Sequence, residues 1–143
     1  MSGSTYTMTF TALPEHIDEN GHVNNAVWVR WMEEVATAHW LRDADSAHVA
    51  AYGWVVVRHE IDYRANVGLG DEVTCTTEIR EPPSGARFDR HFEFATAHKK
   101  PLVRARTTWA MVDRETGRVL RVPPEVAAPF LPDASTRSKN VIE

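Results

Sequence analysis

A single cysteine, Cys75, excludes an internal disulfide and a thiolate metal cluster. Within EVTCTTEI it reads as a small apolar side chain packed in a strand. No apolar run approaches the roughly 18 residues of a spanning helix, so no membrane is expected as a partner. MSGSTYTMTF has no basic stretch leading into an apolar one, and the cytoplasm is the expected compartment. Positive charge is not in excess: 16 Lys and Arg against 20 Asp and Glu leave −4. Nucleic acid is therefore a poor partner, and any anion must be met by a local patch. HExxH, a carboxylate cluster of metal-binding spacing and a GxSxG elbow are all missing, so neither a metal nor another cofactor is expected. The GLG at 68–70 reads as a turn before a strand, not a phosphate loop. What remains is an ordinary soluble composition, 43% hydrophobic and 25% charged.

The 143 residues suit one domain, and no repeat or low-complexity block divides them. In TYTMTFTAL (5–13), Tyr6, Met8 and Phe10 alternate with threonines, the period of a half-buried strand that Pro14 ends. From Asn25 to about Arg42 a broad apolar arc (Val27, Trp28, Trp31, Met32, Val35, Ala36, Ala38) leaves only a narrow polar stripe, which predicts a largely covered helix. Residues 43–53 read as a short helical or irregular connection closed by Gly53. Four β-branched or aromatic runs follow, at 54–65, 71–81, 86–97 and 100–114, and a hairpin tip is expected at Thr116-Gly117. The turns between them are short and favour antiparallel neighbours. The prediction is an α+β domain, one antiparallel sheet wrapped around a buried helix, with a face or an edge left for a second copy. Residues 132–143 have no apolar period and read as a tail.

Ahead of the helix, HIDENGHVNN packs Asp18, Asn20, Gly21, His22, Asn24 and Asn25 into one short stretch. A helix start carries backbone N–H groups without intrahelical partners and about half a positive charge. Two readings stay open. In the structural one, Asn24 caps, Gly21 turns, and Asp18 and Asn20 brace the loop. In the catalytic one, the helix end favours the charged form of a nearby carboxylate, which acts as nucleophile or as base for a water, while a free N–H polarises a carbonyl. That combination describes acyl transfer or hydrolysis. His39, on the apolar side of the helix, reads as a core or interface residue.

The same residues carry a resemblance. Asp18, Gly21, His22, Val23, Asn24 and Asn25, followed by WVRWMEE, resemble the hotdog-fold acyl-CoA thioesterases of the 4-hydroxybenzoyl-CoA thioesterase superfamily, and HEIDYRANVGLGDEVTCTTEI extends the likeness. The resemblance implies a hotdog fold over residues 1–131: one central helix wrapped by a five- or six-stranded antiparallel sheet, in a homodimer or homotetramer with sites at the dimer interface. By position, Asp18 matches the nucleophile or general base, and Asn25 matches the residue whose N–H holds the thioester oxygen. DENGHVNN is also similar to the Asp-x-Asn-x-His stretch of plant fatty acyl-carrier-protein thioesterases. That comparison assigns Asn20 to orienting the carbonyl or a water and His22 to proton transfer or polarisation. A glutamate on the next strand of those enzymes finds its best match in Asp62, one methylene shorter. Glu33 falls where relatives carry a helix glutamate and reads as a supporting interfacial residue.

The implied substrate is an acyl-CoA or an acyl-carrier-protein thioester. Gly21, Asn24 and Asp62 are its candidate contacts, and the CoA phosphates are assigned to arginines and lysines among Arg58, Arg64, Lys99, Lys100, Arg104 and Arg106. Strand alternation puts Arg104 and Arg106 on one face, where a solvated sheet surface is an equal reading. Trp28, Trp31, Trp54 and Trp109 are candidates for an acyl pocket. The competing class is a hotdog protein that binds a thioester without turning it over; a dehydratase lacks a supporting motif.

Overall fold

The computed structural model describes residues 4–98 and 101–132. Five strands form one antiparallel sheet: β1 (Thr5–Thr11), β2 (Tyr52–Tyr63), β3 (Glu72–Glu78), β4 (Arg87–Ala95) and β5 (Val103–Asp113), in spatial order β1-β3-β4-β5-β2. The long helix α1 (Asn25–Asp43) packs on its inner face, and a short α2 (Ser46–Ala51) leads into β2. This is the α+β architecture read from the sequence. One boundary differs: Gly53 does not close the connection after α1 but lies inside β2, opposite Val112. The connection itself is the expected short helix, α2, which Asp45 caps by accepting the Ala47 N–H at 2.8 Å. Lys99, Lys100 and nearly all of the 132–143 tail lie outside the described residues.

Alternation decides what each strand buries. Tyr6, Met8 and Phe10 of β1 face inward, as do Val73 and Cys75 of β3 and Phe88, Phe92 and Phe94 of β4. The fully buried face of α1 (Val27, Trp28, Trp31, Met32, Val35) fills the trough, with Trp31 stacked on Phe10 and Trp28 edge-on to Phe94. Burial drives the Cys75 thiol pKa up, so this side chain is an inert part of the core. A second apolar cluster surrounds Trp40 at the other end of α1, where a closing helical turn, α3 (Pro124–Ala127), and Phe130 seal it against Phe88 and Met111.

Between the clusters lies a polar layer. Buried Arg90 donates through Nη1 to His39 Nδ1 (2.7 Å) and Thr77 Oγ1 (3.2 Å). With Nδ1 accepting, His39 carries its proton on Nε2 and donates to Ser4 Oγ, which donates to Asp43. The layer ties the end of α1 to β1, β3 and β4.

Candidate active site

The loop of residues 16–25 is a closed hairpin. The Asn24 N–H donates to the His16 carbonyl at 2.9 Å, the Asp18 N–H to the His22 carbonyl at 2.8 Å, and Ile17 bridges Val23. Gly21 turns the tip at φ +78°, a left-handed conformation that favours glycine. The Asp18 carboxylate points into this loop and accepts two backbone N–H groups on the same oxygen, Oδ1: Asn20 at 2.9 Å and His22 at 3.2 Å. Neither bond uses Oδ2. Half-buried Asp18 is thereby brought into one loop with Asn20, Gly21, His22, Asn24 and Asn25, all of which are exposed.

The helix start completes the site. Asn24 Oδ1 accepts the Ala26 N–H (2.9 Å), and the Val27 N–H donates to the Asn24 carbonyl (2.9 Å). Of the first three helical N–H groups, that of Asn25 alone has no such bond among the described residues. A carboxylate held by backbone donors in the loop that leads into a positive helix end with one open N–H is suited to attack on a polarised carbonyl. The braces foreseen in the structural reading are present too, for Asp18, Gly21 and Asn24.

Three residues that sequence reasoning passed over, Tyr63, Asn66 and Val67, hold the loop in place. Val23, fully buried, donates its N–H to the Val67 carbonyl (3.1 Å), and Asn66 Nδ2 donates to the Val23 carbonyl (3.2 Å). Tyr63, at the end of β2, reaches the Asn25 carbonyl with its hydroxyl at 3.5 Å. Gly68 lies so close that a Cβ there would sit 3.3 Å from the Gly21 carbonyl oxygen. The GLG turn therefore serves as the seat on which the candidate site rests.

Other candidates lie elsewhere. Asp62 is opposite Arg104 on the outer sheet face, because its neighbours Ile61 and Tyr63 take the inner one. It is not brought to Asp18. Arg104 pairs with Glu93 (3.4 Å), Arg106 with Glu60, and Arg58 with Glu60 (2.7 Å), so these arginines form a charge ladder with acids on that outer face. Arg64 follows Tyr63, near the helix start, and enters none of the ion pairs among the described residues. Glu33 is exposed on α1. Trp28 and Trp31 are core, whereas Trp54 and Trp109 line a cavity at the far end of the helix.

Ser4, His39 and Asp43 are not a hydrolytic triad. Both Ser4 and Asp43 meet Nε2, and Arg90 occupies Nδ1. Burial first, then the Arg90 charge, lowers the His39 pKa to about 4, which leaves the ring a poor base near neutrality.

A helix wrapped by a five-stranded antiparallel sheet defines the hotdog fold. The sequence profile of the thioesterase-like superfamily matches residues 12–130, and the chain belongs to that superfamily, whose chemistry is thioester hydrolysis. Solved structures agree on the fold. A hypothetical protein from Staphylococcus aureus, determined in complex with CoA, is 17% identical over 90% of this chain and 83% of its own, with a TM-score of 0.78. The probable thioesterase YbaW from Escherichia coli is 23% identical over 87% and 95%, at 0.76. A 1,4-dihydroxy-2-naphthoyl-CoA thioesterase from Synechocystis is 20% identical over 88% and 96%, at 0.71. Among curated protein sequences none matches the chain.

Proposed function

We propose that the protein hydrolyses acyl-CoA thioesters, with Asp18 as nucleophile or as base for a water and the Asn25 N–H polarising the thioester carbonyl. The observation that carries this reading is the pairing of the Asp18 carboxylate, fixed through Oδ1 with Oδ2 outside those bonds, with an open N–H at the start of α1. Asn20 and His22 stand in the same loop to orient the carbonyl or a water and to move a proton. Gly21 and Asn24 shape the approach to the thioester. The CoA bound to the Staphylococcus aureus structure supports this choice of carrier, and Arg64 is the phosphate contact we favour. The ladder arginines Arg104 and Arg106 would meet phosphate only by exchanging their acidic partners.

The active form is a homodimer built on β2. This 12-residue strand is a sheet edge, and Val55, Val56 and Val57 stand exposed on it. An edge of that length is an aggregation template unless another strand covers it, and a second copy can cover it isologously.

Thiol release from acetyl-, hexanoyl-, palmitoyl-, benzoyl- and phenylacetyl-CoA tests the reading. Turnover of at least one identifies the activity and ranks the acyl groups. If none reacts while the matching acyl-carrier-protein thioesters do, the carrier is the protein. Silence on both sets favours a non-catalytic binder, the reading that the bracing role of Asp18 Oδ1 would then explain. Oxygen-18 found in Asp18 after a single turnover in labelled water would mark an anhydride intermediate opened at the Asp18 carbonyl.

A further inference from the structure

A cavity of about 210 Å³ opens beside the C-terminal half of α1, at the opposite end of the helix from the Asp18 loop. Aromatic rings form its walls. Trp40 of α1 meets Trp54 of β2 edge-on, 5.5 Å between centroids, and stacks on Phe130 at 5.8 Å, while Phe88 of β4 tilts against Trp54 at 5.9 Å. The β2 side is anchored: Arg114 donates from Nε to the Val49 and Tyr52 carbonyls (3.1 and 3.0 Å), which fixes the turn out of α2 just ahead of Gly53 and Trp54. Arg90 belongs to the lining as well, but His39 and Thr77 already take its hydrogen bonds. The space therefore asks for an uncharged apolar group. Thr37, also in the lining, is exposed on α1 and marks the open side.

We propose that this cavity receives the acyl group of a thioester held at the Asp18 loop of a second copy, and that it selects a compact aryl acyl group of the size of phenylacetyl; the inference rests on the thioesterase and dimer readings above. The size follows from the volume, since a cavity of about 150 Å³ already accepts benzene and this one leaves room for about two further carbons. The aryl character follows from the walls, because ring pairs set edge-on or offset add about two- to tenfold in affinity beyond the area they bury. Within one chain the cavity lies roughly 20 Å along α1 from Asn25, beyond the reach of a compact acyl group. An antiparallel β2 seam removes that distance. Pairing about the strand midpoint sets Trp54 of one copy opposite Ile61 of the other, about 7 Å along the strand from Tyr63, whose hydroxyl reaches the Asn25 carbonyl. Trp54 and Ile61 both pack on the inner side of the sheet, as residues opposed across one continuous sheet must. Each site then takes its carboxylate from one copy and its acyl pocket from the other.

Thioester hydrolysis by the full chain tests the selection first. The kcat/KM for phenylacetyl-CoA should exceed that for cyclohexylacetyl-CoA, its saturated match in size and reactivity, by about two- to tenfold, and that for palmitoyl-CoA by at least about tenfold. Thr37→Phe, which fills the open side from an exposed position, should raise KM for phenylacetyl-CoA by about tenfold. Trp54→Ala, which enlarges the cavity, should shift the preference toward decanoyl-CoA, whereas a badly folded variant would lose all substrates alike. A mixed dimer tests the sharing. Co-expressed under different affinity tags and purified through both, the Asp18→Asn and Thr37→Phe chains make one site that joins an intact Asp18 to an intact cavity, so about half of the wild-type phenylacetyl-CoA turnover should return. A mixed dimer no more active than the mean of its two parents would overturn the proposal. A preference for palmitoyl-CoA would overturn it too, since a long chain can run the length of α1 within one copy. If no thioester reacts, the thioesterase reading fails, and toluene followed through the nitrogen-15 resonance of the Trp54 indole decides the cavity by itself. A shift that Thr37→Phe removes would keep it as a pocket for an aryl group, and an unmoved resonance would overturn it.

Discussion

Asp18 shows how one side chain can satisfy two readings of the same residues. Its Oδ1 does what a turn aspartate does, taking the Asn20 and His22 N–H groups, and the same bonds aim the carboxylate. Spacing alone could place these residues before a helix but could not say which oxygen the loop would use. Asn24 is simpler: as a cap whose Oδ1 takes the Ala26 N–H, its replacement by Ala should cost about 0.5–2 kcal/mol, read as a lower melting temperature. His39 was legible as a core histidine from its place on the apolar arc. Its partner Arg90 gives a weaker signal, the alternation Phe88, Arg90, Phe92, Phe94 that puts that arginine in a buried row. With the His39 pKa lowered to about 4, the unfolded chain holds the proton more readily between pH 6.5 and 4. Stability is then full above about pH 6.5 and falls as the pH drops through that window, by on the order of 2–3 kcal/mol at about 1.4 kcal/mol per unit. Thermal melts from pH 7.5 to 4 should show this loss, and His39→Asn should flatten it. A wild-type melting temperature constant over that range would contradict the assignment. Asp43, held down to about 2 chiefly by its Arg42 hydrogen bond, adds a further loss only below about pH 4.

At the scale of elements, periodicity carried most of the fold. The period-two runs became β1 and β3 to β5 with ends shifted by a few residues, and the apolar arc became α1. The connection between β2 and β3 does more than turn the chain. Read as a plain turn, it supplies Asn66, Val67 and Gly68 as the seat of the hairpin, a tertiary role that no local pattern announces. Strand alternation correctly put Arg104 and Arg106 on one face. Which neighbours they would meet depended on register, and register delivered Glu93 and Glu60. Asp62 shows the same dependence, since one residue's shift along β2 separates the outer face from the helix start. Edge strand β2 carries its own prediction. If it is the dimer seam, Val56→Lys should convert a dimer to a monomer in size-exclusion chromatography with light scattering. A wild-type protein that already elutes as a monomer would refute the seam.

For the whole molecule, the long helix separates two ends of different character. At its start an exposed polar hairpin presents Asp18 and the Asn25 N–H, and at its finish an aromatic cavity opens beside the buried Arg90. Between them the polar layer of Arg90, His39, Ser4 and Asp43 fixes the helix against the sheet. The central claim is that the first of these ends performs thioester hydrolysis through Asp18, and Asp18→Asn tests it most directly. An amide oxygen in place of Oδ1 can still accept the Asn20 and His22 N–H groups, so the hairpin and the melting temperature should persist. Thiol release from the preferred acyl-CoA should nevertheless fall by about 10²–10⁴-fold. An Asp18→Asn protein that melts like the wild type and releases thiol at the wild-type rate would contradict the account and leave Asp18 as a brace for the loop.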